Sequence, residues 1–184
     1  IGQNALAAQN FTTATDSNNT AVGHDAGAAI TTGVFNVCVG AFAGDAMTDA
    51  DANIAMGRHA LGADSLGSGS VAVGDSALFT QNYSTGTAAY NTAIVLSACY
   101  SISTGVYNIC IGGRANATSS PTTTGSYNTI IGVDARPSAG SGGQQIVIGN
   151  AVTGAGDNTF NFGKASNIVS NTFTSNASFS RSSD

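Results

Sequence analysis

Two histidines, three cysteines and ten acidic residues, all of them aspartate, are the side chains that suit acid–base, nucleophilic or metal chemistry. A hydrolytic triad needs a Ser or Cys, a His and an acid brought to one site, and a general base needs a positioned partner. His24 and His59 stand one and two residues after a repeated glycine, and the sequence identifies no such partner for either. We therefore predict corner residues, and no enzymatic activity.

The same side chains do not form a recognisable metal motif. Neither histidine has zinc-ligand spacing, and Cys38, Cys99 and Cys110 contain no CxxC pair. The densest acidic stretch, residues 45–51, matches neither an EF-hand nor the glycine-aspartate calcium repeat. The sequence predicts no metal and no cofactor, a solvated turn at the aspartates and small apolar fillers at the cysteines.

Composition indicates a mostly β chain. Only 8% of the residues are charged, Glu and Trp are absent, and Gly, Ala, Ser, Thr and Asn separate short apolar runs, which favours strands and tight turns. The five basic residues are scattered, whereas nucleic-acid binding needs a concentrated basic face. No apolar run approaches the ~20 residues of a spanning helix. We predict no nucleic-acid partner and no membrane insertion.

A motif of Asn, three further residues and Gly recurs along the chain. Most successive glycines are 17 residues apart, a period typical of a solenoid in which each repeat forms one coil. Stacked asparagines can hydrogen-bond along a column, and the glycines suit corners with positive φ. Val95 replaces glycine in one coil, so that corner must differ or be shifted. The repeat columns are Asn19, Asn36, Asn53, Asn91, Asn108 and Asn128, and Gly23, Gly40, Gly57, Gly74, Gly112, Gly132 and Gly149.

The three residues before each glycine predict a short strand that is buried on both faces. The middle residue is mostly Ala or Cys, and the residues on either side of it are mostly β-branched. Because neighbouring residues of a strand point to opposite faces, a single roll would leave one of these faces uncovered. Further copies of the same chain are the most economical cover. The sequence alone leaves open which column lines the roll.

The repeats NTAVGHDA, NVCVGAFA and NIAMGRHA resemble those of the left-handed parallel β-roll in trimeric autotransporter adhesin heads. Similar repeats occur in phage tail fibres and tailspikes. The resemblance implies an all-β homotrimer of about nine coils, with β-roll repeats over residues 1–157 and a trimeric stem over residues 158–184. The stem would be packed by Phe160, Phe162, Phe173 and Phe179.

The ending SFSRSSD is similar to the segment that joins phage fibres to an endosialidase-type intramolecular chaperone. In that family the chaperone helps trimerisation and cleaves itself off at a Ser-Asp bond. The resemblance makes Ser183 and Asp184 the cleavage junction, with Asp184 as the first chaperone residue.

Aromatic residues are the candidates for contact with a ligand such as a glycan. Tyr83 and Tyr100 lie off the repeat register, in or beside longer loops, and are the predicted ligand contacts. Other aromatics directly precede a repeat asparagine, and this fixed register predicts a structural column of Phe35, Tyr90, Tyr107 and Tyr127.

The sequence thus predicts a structural, trimeric viral tail-fibre segment, a rigid spacer and host-attachment element of an extracellular virion tail. Its expected partners are its own copies, other tail components and a host surface polysaccharide or protein. The alternative is the head domain of a bacterial trimeric autotransporter adhesin, located at the bacterial cell surface. The lack of heptads after Gly163 and the SRSSD ending favour the fibre. A polysaccharide depolymerase, which needs paired acids in a groove, ranks last.

Overall fold

A computed structural model describes residues 1–117 and 123–173, and all the regular elements in these ranges are β-strands. The chain forms an all-β solenoid of about eight turns between nine stacked parallel strands, which confirms the predicted fold class at this level. Each of these nine strands, with the corner that follows it, is called a coil. The strands are β1 (Thr20–Val22), β2 (Val37–Val39), β3 (Ile54–Met56), β4 (Gly67–Ser68), β5 (Val71–Val73), β6 (Thr87–Ala88), β7 (Thr92–Ile94), β8 (Ile109–Ile111), β9 (Thr129–Ile131), β10 (Ile146–Asn150), β11 (Thr159–Lys164) and β12 (Asn167–Thr172).

One ten-stranded sheet runs the length of the solenoid, in the order β1-β2-β3-β5-β7-β8-β9-β10-β11-β12. The strands from β1 to β11 in this order are parallel, and the same motif position pairs at each step, as Ala21 with Cys38 and Ala55 with Ala72. The strands β4 and β6 form a separate two-stranded sheet. The repeat therefore sets the register, because each coil places its three-residue strand directly on the previous one.

The middle residue of each roll strand points into the roll. Ala21 is 8% exposed and the middle residues from Cys38 to Val147 are fully buried, whereas their β-branched neighbours are partly or largely exposed. The Ala and Cys column therefore lines the interior of a single chain, and the β-branched columns form its outer face. This placement answers the question that the sequence left open.

A second interior column lies four residues after the corner in the coils from Gly23 to Gly112, whereas the same position after Gly132 holds the exposed Arg136. A Cβ built on Gly44 would contact the sulfur of Cys38 at 3.0 Å. In the coils of Ala55 and Ala72, this column holds the fully buried Leu61 and Leu78. In these coils a larger residue in one column accompanies a smaller one in the other, which keeps the narrow core filled.

The glycine column forms the corner after each strand, as predicted. Gly23 has a φ of +139°, and a Cβ there would lie 2.4 Å from the carbonyl oxygen of Gly40 in the next coil. Glycine is required both by the positive φ and by the close stacking of the backbones. Val95 keeps its place in this column, between Gly74 and Gly112, with a φ of 92°. The corner at Val95 therefore differs in its dihedral angle and is not shifted along the chain.

The asparagine column forms a buried ladder that runs from side chain to backbone. The Asn36 side-chain oxygen accepts a hydrogen bond from the Asn53 backbone N–H at 2.9 Å, and its Nδ2 donates to the Ala50 carbonyl at 2.7 Å. Side chains also bond directly in one part of the column, where Asn128 Nδ2 lies 3.1 Å from Asn108 Oδ1. Each asparagine therefore bridges its own coil to the next, as the sequence predicts.

The parallel sheet continues past the predicted boundary at residue 157, and the strand direction reverses only at β12. Strand β11 pairs with β10 in parallel, and Phe160 and Phe162 continue the outer columns, with ring centroids 5.4 Å apart. Strand β12 then pairs with β11 in antiparallel fashion, so that Val169 lies opposite Phe162. Phe173 is 48% exposed. The predicted stem residue Phe179 and the predicted junction, Ser183 and Asp184, lie outside the described residues.

Candidate functional site

The histidines lie at corners within a series of aromatic rings. His24 Nδ1 lies 3.1 Å from Asp25 Oδ2, and His24 packs edge-on against Phe42 at 5.1 Å. His59 stacks on Phe42 at 4.9 Å and meets Phe79 edge-on at 5.8 Å. Both imidazoles therefore pack against rings of neighbouring coils. Within residues 1–117 and 123–173, no group of three or more His, Cys, Asp or Glu residues is placed to hold a metal ion.

Two aspartates of the acidic stretch, Asp49 and Asp51, bond to the preceding coil. Asp49 Oδ1 accepts a hydrogen bond from Thr32 Oγ1 at 2.6 Å, and Asp51 Oδ1 accepts one from the Val34 backbone N–H at 2.7 Å. Both residues are exposed. These carboxylates therefore fasten one turn to the next, in the exposed turn that the sequence predicts.

Two of the three cysteines are not simple fillers. Cys99 and Cys110 are joined by a disulfide inside the roll, and both are fully buried. Only Cys38 keeps an unpaired, buried thiol, and burial raises its pKa to about 12. The expectation of three apolar fillers is wrong for Cys99 and Cys110, because Cys99 lies in the second interior column, opposite the strand column that holds Cys110. That relation between columns cannot be read from the spacing of the cysteines.

Tyr83 is buried, so the prediction that it contacts a ligand from a surface loop is wrong. Its side chain is only 5% exposed, and its hydroxyl donates to the Gly105 carbonyl at 2.7 Å. Asn91 Nδ2 lies 3.2 Å from the same hydroxyl. Tyr83 therefore supports the asparagine ladder from within, where the loop before Asn91 folds into the roll.

Tyr83 belongs to a buried polar cluster that fills a break in the ladder. Ser70 stands where other coils have asparagine, and its hydroxyl oxygen accepts a hydrogen bond from Gln81 Nε2 at 3.1 Å. Gln81 Oε1 in turn accepts from Asn91 Nδ2 at 2.8 Å. Gln81 also donates to Asp64, whose other carboxylate oxygen accepts from the Gly67 N–H at 2.9 Å. Burial raises the pKa of Asp64, and these hydrogen bonds oppose that rise.

Tyr100, the second predicted ligand contact, is half-buried. Its ring stacks on Phe79 with centroids 5.3 Å apart and an interplanar angle of 16°. It therefore ends the series of rings that begins at His24. One ring face is covered by Phe79, and among residues 1–117 and 123–173 no hydrogen bond or ring contact joins Tyr100 to Tyr83.

The outer face of the roll sheet exposes apolar side chains along its whole length. It consists of the residues three and one before each corner, and we call it the apolar face. Parallel sheets are normally covered on both faces, and contiguous exposed apolar patches mark interaction sites. Nine strands spaced ~4.8 Å apart give it a length of roughly 38 Å. Its members include Val22, Ile54, Met56, Ile109, Ile148 and Phe162, each between 36% and 41% exposed.

Two edges border the apolar face. The entry edge is formed by the residues that stand five before each corner. All nine have a left-handed backbone conformation, as Phe35 with a φ of 61°. The exit edge is the residue directly after each corner. Rings stack along the entry edge, where Tyr107 and Tyr127 lie 5.1 Å apart at an angle of 6°. An ion pair runs along the exit edge, where Arg58 Nε lies 2.9 Å from Asp75 Oδ2.

Comparison with models of known protein families finds no match, and comparison with curated proteins and with solved structures finds no relative. The described part of the chain contains no helix of the length and apolarity that crossing a membrane requires.

Proposed function

We propose that this chain is a segment of a fibrous homotrimer, in which three left-handed rolls pack around one axis through the apolar face. The observation that carries the proposal is the exposure of apolar and β-branched residues along nine stacked strands, such as Ile54 and Ile109. Burying this face would remove apolar area along the whole length of the roll, at about 25 cal/mol per Å². The same repeats resemble phage tail fibres, which supports a place in an extracellular virion tail.

The proposed role is mechanical and adhesive, without catalysis. Continuous main-chain ladders and a filled core resist bending, so the segment would act as a stiff spacer. A rigid trimer presents three copies of any surface feature to a repetitive host polysaccharide or protein, which raises avidity without tight single sites. Attachment to other tail components would occur at the two ends of the rod.

One observation favours a second candidate, the head domain of a bacterial trimeric autotransporter adhesin. The disulfide between Cys99 and Cys110 is typical of proteins that reach an oxidising compartment. Against this candidate, the chain continues after Gly163 into the β-hairpin of β11 and β12 and not into a heptad-patterned helix. The fibre therefore remains the first proposal.

The oligomeric state tests the proposal directly. Light scattering coupled to size exclusion should give three times the chain mass of 18.1 kDa. Ile111→Lys should place a charge in the apolar face and release folded monomers with an unchanged circular dichroism spectrum. Thr124→Lys, at an exposed position away from this face, is the matched control. A wild-type chain that stays monomeric at high concentration would refute the assembly.

A further inference from the structure

We propose that copies of this chain pack with the entry edge of one copy against the exit edge of the next, at the same coil level. The inference rests on the proposed assembly and adds to it the contacting edges and the axial register. It comes from a relation between the two edges that runs through all nine coils.

Aromatic residues on the entry edge coincide with small or aliphatic residues on the exit edge. In four coils the entry residue is aromatic: a phenylalanine in one and a tyrosine in three. The exposed fraction of these side chains is between 44% and 58%. These entry residues are Phe35, Tyr90, Tyr107 and Tyr127. The exit residues of the same four coils are Ala41, Leu96, Gly113 and Val133.

The other five coils show the opposite combination. Their entry residues are not aromatic, and their exit residues are all polar or charged: His24, Arg58, Asp75, Asn150 and Lys164. Where the exit residue is Arg58 or Asp75, the entry residue is Ala52 or Gly69, and the ring of Tyr90 from the next coil already lies over Gly69. The size and polarity of one edge therefore follow the other edge through the whole solenoid.

Contacts within one chain do not account for this relation. The two edge residues of a coil lie six positions apart, on opposite sides of the apolar face. Because extended chain spans about 3.3 Å per residue, they are too far apart to contact each other. The contacts that the chain does make run along each edge from coil to coil. Tyr107 stacks on Tyr127 on one edge, and Arg58 pairs with Asp75 on the other.

Rotation about an axis parallel to the roll brings the two edges together. In a closed ring every copy offers its entry edge to one neighbour and its exit edge to the other. Without an axial shift, Tyr107 of one copy would lie over Gly113 of the next, and Tyr127 over Val133. Amide and charged residues would meet each other near the C-terminal end, where Asn158 faces Lys164. Each aromatic ring would thereby meet a small or aliphatic residue and no charged one.

A size exchange tests the contact. The Cβ position of Gly113 is open within the chain, so Gly113→Trp should leave the single roll intact. The added ring would collide with Tyr107 of the neighbour and should raise the concentration for half-dissociation about tenfold or more. Tyr107→Ala combined with Gly113→Trp should restore most of the lost association. Gly86→Trp is the matched control, because the Cβ position of Gly86 is equally open and lies in an exposed loop.

Cross-linking tests the register. A chain carrying both Tyr127→Cys and Val133→Cys should form covalent rings on mild oxidation, seen as a trimer on a denaturing gel without reductant. The control pair, Tyr127→Cys with Leu96→Cys, is displaced by two coils, beyond the ~7 Å that a disulfide tolerates between Cα atoms. The native cysteines are all buried and should not interfere.

The outcomes separate the inference from the proposed function. A monomeric wild-type chain would refute both. An assembled wild type in which Gly113→Trp has no more effect than Gly86→Trp would overturn the edge contact and leave the trimer standing. Covalent rings from the displaced pair, but not from the level pair, would overturn the register.

Discussion

Cys99 and Cys110 are joined by a disulfide that connects the second interior column of one coil to the strand column of the next. The bridge closes a short loop that contains the entry-edge residue Tyr107 and the buried Asn108. It therefore fixes the coil in which the aromatic entry edge is packed most closely, between Tyr90 and Tyr127.

Removal of this disulfide should destabilise the roll. The two cysteines are 11 residues apart, and closing a loop of that size restricts the unfolded chain by about 3 kcal/mol. Cys99→Ala with Cys110→Ala should lower the free energy of unfolding in urea by an amount of that order. Cys38→Ala, which removes a buried thiol without a bridge, should cost distinctly less. An equal loss in both variants would mean that the bridge adds nothing beyond packing.

Replacement of Val95 by glycine should stabilise the chain. A β-branched residue at a φ of 92° occupies a region that is strained by about 1–3 kcal/mol, and every other corner in this column is glycine. We expect Val95→Gly to raise the free energy of unfolding by about 1 kcal/mol, measured by thermal or urea unfolding. Gly112→Ala serves as the opposite control, because its Cβ would lie 2.7 Å from the backbone of Gly132. A destabilised Val95→Gly variant would show that the valine side chain contributes more than its backbone strain costs.

Replacement of one ladder asparagine should show how much the asparagine column contributes to the free energy of unfolding. Asn36→Ala leaves the Asn53 N–H and the Ala50 carbonyl without their side-chain partner in a buried site. Buried unsatisfied groups cost ~1–3 kcal/mol each, so a loss of about 3 kcal/mol in the free energy of unfolding is expected. Asn82→Ala removes an exposed amide away from both edges and should change it by less than about 0.5 kcal/mol. Similar losses from both variants would contradict a ladder held by asparagine.

The buried carboxyl of Asp64 should make stability fall as the pH rises above about 4. Its pKa is raised in the folded chain by burial, so its contribution is fully present below the unfolded pKa and is lost as pH rises through the folded pKa. The difference in free energy of unfolding between the wild type and Asp64→Asn should therefore decline over this window. Urea titrations at a series of pH values measure it, with Asp16→Asn as the control at an exposed carboxyl. A difference that stays constant with pH would show that Asp64 does not change its protonation on folding.

Periodicity predicted the parts of the fold that repeat. The strand positions, the glycine corners and the asparagine ladder each follow from residues that recur at a fixed place, such as Asn36 and Gly40. The interior could not be assigned from the same pattern, because alanine fits a roll core and a close contact between chains equally well. The structure places Ala72 inside the roll, so overpacking at Ala72 would disturb the core of the chain and not the proposed interface.

Features that occur once were harder to predict. Tyr83 lies off the repeat register, which suggested an exposed loop, yet it enters the core because Ser70 is too short to continue the ladder. The cysteine bridge depends on the pairing of two interior columns, which only the three-dimensional winding reveals. The sheet continues past the predicted boundary at residue 157, because Thr159 takes the position of the asparagine and β11 pairs with β10.

The asparagine ladder gives the folding of this chain a direction. Each asparagine side-chain oxygen accepts a hydrogen bond from a backbone N–H of the next coil. Asn108 accepts from Asn128, and Asn128 accepts from Gln145. During synthesis, the hydrogen bonds of a coil are therefore complete only after the next coil has been made and has packed on it. Gln145 ends this succession by turning its side chain back to Ser138 within its own coil. The succession of asparagine bonds therefore ends one coil before the strand direction reverses, although β11 still pairs with β10 in parallel.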